Sequence, residues 1–180
     1  MRPLLPCIRV IANEENHGFA KANNQARAFG RGEYVLFLNS DTLIPEDCLH
    51  LCLAFLKEHP VAGALGVRML DGKGRFLAES KRAFPSPLAS FYKLVGLAAL
   101  FPRSGVFNKY ALGNLDEHQN HEVAVLAGAF MLVDKKILDE LNGLDERYFL
   151  YGEDIDLSFR IQQLGRKNYY FAGTSIIHFK

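Results

Sequence analysis

Cysteine is scarce in this 180-residue sequence, and its three copies, Cys7, Cys48 and Cys52, make an odd set without framework spacing. That excludes a disulfide-stapled scaffold and makes a reduced, cytoplasmic setting the default. Cys48 and Cys52 stand four apart in a helical pattern and are expected to pack as small apolar side chains. His50 points elsewhere on such a helix, which leaves zinc short of ligands. Excess charge is missing too. The 21 Lys and Arg nearly balance the 20 Asp and Glu, for a formal charge of +1, and no basic run stands out, so nucleic acid is not an expected partner. Long apolar runs are also absent. The most apolar segment, PLASFYKLVGLAALFP (residues 87–102), has 14 residues between its end prolines and contains Lys93, too short to span a bilayer. Core burial is the expectation for it, with peripheral contact at the inner face of a membrane, or a partner-facing helix, as the alternatives. MRPLLPCIRV at the start is too short and too proline-broken for a signal peptide. There is no internal repeat and no low-complexity tract.

What is present is a globular composition, 49% hydrophobic and 23% charged. The length fits one domain over residues 1–180 with a sizeable core. CIRVIA (residues 7–12) reads as a buried strand. Phe19, Ala22, Ala26 and Phe29 then recur at helical spacing, and Gly30 stands where a helix stops. YVLFL (residues 34–38) is the next buried strand, so the opening reads as a strand–helix–strand unit that builds parallel sheet. A helix from near Pro45 to Pro60 turns Leu49, Cys52, Leu53 and Leu56 inward. VAGALGVRML is a strand, and DGKG after it is a turn. Residues 82–122, rich in aromatics, Gly and Pro, read as helices and loops covering one face of the sheet. From Val123 the pattern gives a strand broken at Gly128, a short helix ending at Gly143, a helix in YGEDIDLSFRIQQLG and a closing strand. The sum is one α/β domain.

Several stretches carry candidate chemistry. VLFLNSDTLIP runs an apolar strand into Asn39-Ser40-Asp41, either ordinary turn residues or a carboxylate set at a strand end to hold a cation or a ligand hydroxyl. Glu153, Asp154 and Asp156 open a helix, where carboxylates suit the macrodipole. The preceding FLYG also fits a pocket in which one of them acts as general base. Lys21, Asn23 and Asn24 form a polar helix face, solvated or binding phosphate and sugar. Gly128-Ala129 marks a bulge or a close ligand approach, and His178 lies at a strand end.

Taken together, NHGFAKANN (residues 16–24), LFLNSDT (36–42), GAFMLV (128–133) and FLYGEDIDLSFRI (149–161) resemble the family 2 glycosyltransferases, in particular the bacterial rhamnosyltransferase-like branch of cell-wall and surface-polysaccharide synthesis. The resemblance implies a nucleotide-diphospho-sugar transferase-like (GT-A type) domain with a mixed, mainly parallel sheet. It also implies inverting transfer from a nucleotide-sugar donor to a glycan or lipid-linked acceptor. Asn39-Ser40-Asp41 matches the Asp-x-Asp-type position, with Asn for the first Asp. Asp41 would bind Mg²⁺ or Mn²⁺, and His178 matches a position that can join it. Lys21, Asn24, Asn39 and Asp41 fall on the donor side. Gly128, Ala129 and Glu153 fall on the acceptor side, and Asp154 matches the catalytic base. Family members begin with two further strands that hold base and ribose, and they continue past the equivalent of Lys180. The chain therefore reads as N-terminally truncated, with weak or absent binding of a uridine or thymidine diphosphate. Self-association through the uncovered sheet edge is expected for the same reason. A non-catalytic glycan- or partner-binding remnant is the alternative function. A nucleotidyltransferase would want a glycine-rich, basic phosphate loop near the N-terminus, and none is present.

Overall fold

The computed structural model describes residues 8–179. Gly18, at φ +76°, starts helix α1 (Gly18–Arg27), which leads to strand β1 (Tyr34–Leu38) and, after a short turn, β2 (Thr42–Leu43). Helix α2 (Cys48–Glu58) and strand β3 (Ala62–Leu70) follow. A 3₁₀ turn (Ala78–Ser80) then precedes two short helices, α3 (Pro87–Leu94) and α4 (Leu97–Leu100). The second half carries β4 (His121–Val123), β5 (Phe130–Asp134), α5 (Lys135–Glu140), α6 (Glu153–Gln163) and β6 (Lys167–His178).

The sheet runs β1-β5-β3-β6-β2, with β4 also paired to β6. Its central strands β3 and β5 are apolar on both faces because both are covered. On one face Leu65, Val67 and Met69 of β3 meet Cys52, Phe55 and Leu56 of α2, together with Phe130 and Leu132 of β5. On the other, Ala64, Met131 and Val133 meet Ala20 of α1, Leu138 of α5, and Leu157 and Ile161 of α6. Successive residues of β3 and β5 thus enter opposite cores, as the two-residue period of a strand requires. Cys48 and Cys52 are fully buried in the α2 core, as their helical spacing indicated.

Several expectations are corrected. The sheet is mixed but not mainly parallel: only β3 and β6 run parallel, and the other four ladders are antiparallel. An unbroken apolar run reports burial on two faces, not strand direction. The described residues of the expected first strand form no strand. Cys7 lies outside the described residues, and residues 8–12 are irregular and exposed. They lie along α1, with Arg9 over the Phe29 ring at 3.7 Å and Asn13 Nδ2 donating to Gln25 Oε1 at 2.9 Å. β1 therefore has β5 as its only strand partner among the described residues, and no described strand pairs with its outer edge. The inward faces of two helices are rotated from those expected. Leu49 of α2 is 43% exposed while Cys48 and Phe55 are buried. Ala26 and Phe29 are exposed, whereas Ala20 is fully buried. The side of α1 that meets the protein is mixed: Ala20 enters the core with Phe19 against it, and Asn24, one turn on, bonds the Leu144 backbone, while Lys21 stays exposed.

Residues 87–102 form α3 and α4 as apolar helices, but contrary to expectation neither contains a buried residue. No helix among the described residues is long and apolar enough to cross a membrane.

The close contact of β3 with α6 gives a test of this packing. A methyl added at Gly63 would stand 2.5 Å from Ile161 Cγ2 and 2.8 Å from Arg166 Cβ. Gly63→Ala is expected to destabilise the fold by about 1–3 kcal/mol through overpacking, read as a lower urea midpoint at unchanged slope.

Candidate active site

Three of the sequence motifs meet at the start of α6. Phe19 N donates to Phe149 O at 2.9 Å, which docks the start of α1 on the 148–152 loop. Contact is so close that a Cβ at Gly18 would lie 2.4 Å from Phe149 O, so only glycine fits. Tyr151 (φ +68°) and Gly152 (φ +99°) then turn the chain sharply into the helix. Gly128, in the irregular link before β5, closes the third side: a Cβ there would sit 3.6 Å from Asp154 Cβ and 3.9 Å from the Phe19 ring.

Asp154 is held at this junction by charge and backbone. Its Oδ2 accepts from Arg82 Nη2 at 2.6 Å and from Gly128 N at 3.3 Å, and its Oδ1 accepts from Ile155 N at 2.8 Å. A carboxylate offers about four acceptor positions, so one remains on Oδ1 for a further donor. Arg82 also donates to Leu126 O at 2.8 Å and to Tyr110 Oη at 3.3 Å. Sequence reasoning missed Arg82. Its only mark is the basic pair Lys81-Arg82, which has no periodic context to set it apart.

Glu153, beside Asp154, is buried, and its Oε2 has no hydrogen-bond partner. Burial pushes its carboxyl above the usual range, with the neighbouring Asp154 charge adding and Arg82 opposing. Asp154, Glu153, Gly128, Ala129, Asn39 and His178 all line one cavity of about 600 Å³.

Asp41 and His178 form the other end of the site. The register Thr42↔His178 of β2 and β6, with Phe179 N donating to Asp41 O at 2.8 Å, sets them side by side. The reach of β6 comes from a bulge. Val67 pairs with Phe171 but Arg68 with Ser175, so three residues loop out before the strand resumes toward Asp41. His178 Nε2 lies 3.3 Å from Asp41 Oδ1 and 3.5 Å from Asn39 Nδ2. His178 is buried, and its Nδ1 has no partner. A nitrogen and a carboxylate oxygen at that spacing suit adjacent positions on one octahedral cation, which stand about 3 Å apart. The pair is incomplete by itself: no group of three His, Cys, Asp or Glu gathers among the described residues. Asp41 and His178 would hold such a cation only with further ligands from outside the chain, such as oxygens of a diphosphate or water.

Of the four expected donor residues only Asn39 lines the cavity; Asp41 stands beside it through His178, and Asn24 and Lys21 stand further apart. Asn24 Nδ2 donates to Leu144 O at 2.8 Å, and its Oδ1 accepts from Leu144 N at 2.9 Å. That amide clamps the 143–146 turn to α1 and does not line the cavity, so it is engaged with the protein itself. Lys21 is exposed on α1 and does not line the cavity.

Residues 2–141 match the family described as Glycosyl transferase family 2. The chain belongs to this family. Among curated relatives, an N-acetylglucosaminyl-diphospho-decaprenol L-rhamnosyltransferase of Mycobacterium tuberculosis is 28% identical, over 97% of this chain and 60% of its own length. The rhamnosyltransferase WbbL of Escherichia coli is also 28% identical, over 91% of this chain and 61% of its own length. The family 2 chain thus spans about three-fifths of these relatives. In fold it is similar to GalNAc-T7, solved with UDP, GalNAc and Mn²⁺ (TM-score 0.62, 13% identity, 93% of this chain and 31% of that one). It is likewise similar to Staphylococcus aureus TarS, solved with UDP (TM-score 0.56, 17% identity, 92% and 41%).

The state of Glu153 is measurable. A carboxyl raised by burial favours folding while it is protonated, and that contribution is lost as pH rises through its folded-state value. The native protein should therefore lose stability from this site as pH climbs above the ordinary 4.5 of a glutamate. Glu153→Gln should remove that slope, seen as a smaller difference in urea midpoint between pH 4.5 and neutrality; an unchanged slope would place the source elsewhere.

Proposed function

We propose that this family 2 chain transfers a sugar, with inversion, from a nucleotide-diphosphate donor to a glycan or lipid-linked saccharide of the kind used in cell-wall or surface-polysaccharide synthesis. The observation that carries the reading is the Asp154 carboxylate. It is fixed at a helix start by Arg82 and the Gly128 amide, with one acceptor position left, and it lines the same cavity as His178.

Asp154 is the base that takes the proton from the attacking acceptor hydroxyl. Arg82 positions it by holding Oδ2, which directs the remaining lone pair of Oδ1 to the incoming donor. Glu153, with an unpartnered buried oxygen, and the Gly128–Ala129 backbone seat the acceptor sugar. Asn39 and Asp41 face the donor, and Asp41 with His178 holds Mg²⁺ or Mn²⁺. Such a cation, when bound, offsets the charge of the departing nucleoside diphosphate. The outer edge of β1, which no described strand pairs, is the surface for self-association, since an unpaired edge strand invites a further strand.

Two substitutions test separate parts of the reading. Asp154→Asn keeps the shape of the side chain and should lower kcat by about 10²–10⁴ while leaving donor affinity nearly unchanged. Near-normal turnover would move the base to another group. Asp41→Asn should abolish the mutual strengthening of Mn²⁺ and nucleoside diphosphate binding seen by calorimetry, with the melting curve intact. Metal binding that is unchanged in this variant would remove Asp41 from the donor site.

A further inference from the structure

The elbow made by α3 and α4 is held from within and bare on its outer side. Gly96, at φ +81°, turns one helix into the other. Tyr92 packs edge-on against Phe107 with ring centroids 5.1 Å apart, and Phe101 meets the same ring at 5.3 Å. Those contacts leave Leu94 86% and Leu100 70% exposed, with Leu88, Phe91 and Val106 also more than half exposed. Large apolar side chains exposed together on a helical element mark a contact face, and its charge identifies what it contacts. Residues 83–115 contain Lys93, Arg103 and Lys109 but no Asp or Glu, although the whole chain is almost neutral. All three cations are exposed. Lys93 shares a cavity wall with Glu79, and Arg103 shares one with Asp116 and Glu117, so the excess of positive charge is that of the elbow segment itself. Exposed apolar side chains on a segment of net positive charge complement an anionic lipid surface. A second copy of the same face would instead bring like charges together.

We propose that the α3–α4 elbow docks the protein on an anionic membrane surface. Leu94 and Leu100 enter the headgroup layer, and Lys93, Arg103 and Lys109 meet lipid phosphates. The elbow roofs a cavity of about 590 Å³ lined by Ala89, Lys93, Ala99 and Tyr110. Arg82 and Glu79 line both this cavity and the one around Asp154. Docking would therefore bring a lipid-linked acceptor to Asp154 from the membrane side. That last step rests on the transfer reading, whereas the docking itself does not.

Co-sedimentation with vesicles, without sugar donor or acceptor, tests the docking apart from the chemistry. The chain is expected to pellet with vesicles containing phosphatidylglycerol, far less with pure phosphatidylcholine, and less as salt is raised. Each cation near such a surface strengthens binding about fivefold, so Lys93→Ser with Arg103→Ser should weaken it about twenty-five-fold. Leu94→Glu with Leu100→Glu should abolish it without lowering the melting temperature, since both side chains are exposed. No pelleting with either vesicle, equal binding to both, or binding unchanged in these variants would overturn the proposal. So would a dimer in light scattering that the leucine variant disperses, because the covering partner would then be a second copy.

Discussion

The Arg82 guanidinium is the contact through which the separate parts of the site reach one another. It comes from the segment after the 3₁₀ turn, joins Asp154 on α6, and also bonds Leu126 O and Tyr110 Oη. Its backbone pairs with Val125 in both directions, N to O at 3.1 Å and O to N at 2.9 Å. Both partners of the ion pair are mostly buried, with side chains 13% and 17% exposed. Removing two charges from water to this extent is costly unless the remaining hydrogen-bonding positions are satisfied. The carbonyl, the phenol and the Gly128 amide meet most of that requirement. What the pair yields is a fixed geometry: α6, the link before β5, and the 82–83 and 110 segments are registered on a single carboxylate.

Glycine makes that registration sterically possible. Gly18 lets α1 begin against Phe149 O, where a Cβ would lie 2.4 Å away, and the link at Gly128 packs at ordinary contact distance from Asp154. The Asn24 amide repeats the device further along α1 by bonding both backbone groups of Leu144. The motif around residues 16–24 therefore acts mainly as a brace for the loop that aims Asp154.

The far end of the site depends on β6. Without the three-residue bulge after Phe171, the strand would stay in step with β3, and His178 would not fall opposite Thr42. Gly173 in the bulge is folded so tightly that a Cβ there would lie 2.3 Å from the Phe171 ring. The bulge, the β2 pairing and the Asn39–Asp41 turn together bring residues 137 positions apart in sequence, Asp41 and His178, to 3.3 Å.

By itself the sequence determined the family, the α/β class, the strands now seen as β1, β3 and β5, the helices α2 and α6 and the placement of Asp154 at a helix start. All of these rest on local signals: period, turn residues and short motifs whose neighbours are adjacent in the chain. Strand direction, the rotation of α1 and α2, the irregular path of residues 8–12 and the partnership of Arg82 with Asp154 were decided by tertiary structure alone. An apolar run records that it is covered without recording by what, so neither the sense of a neighbouring strand nor the exposure of the α3–α4 elbow can be read from it. A buried ion pair records nothing locally, because its two halves, 72 residues apart here, acquire their energy only when folding removes both from water.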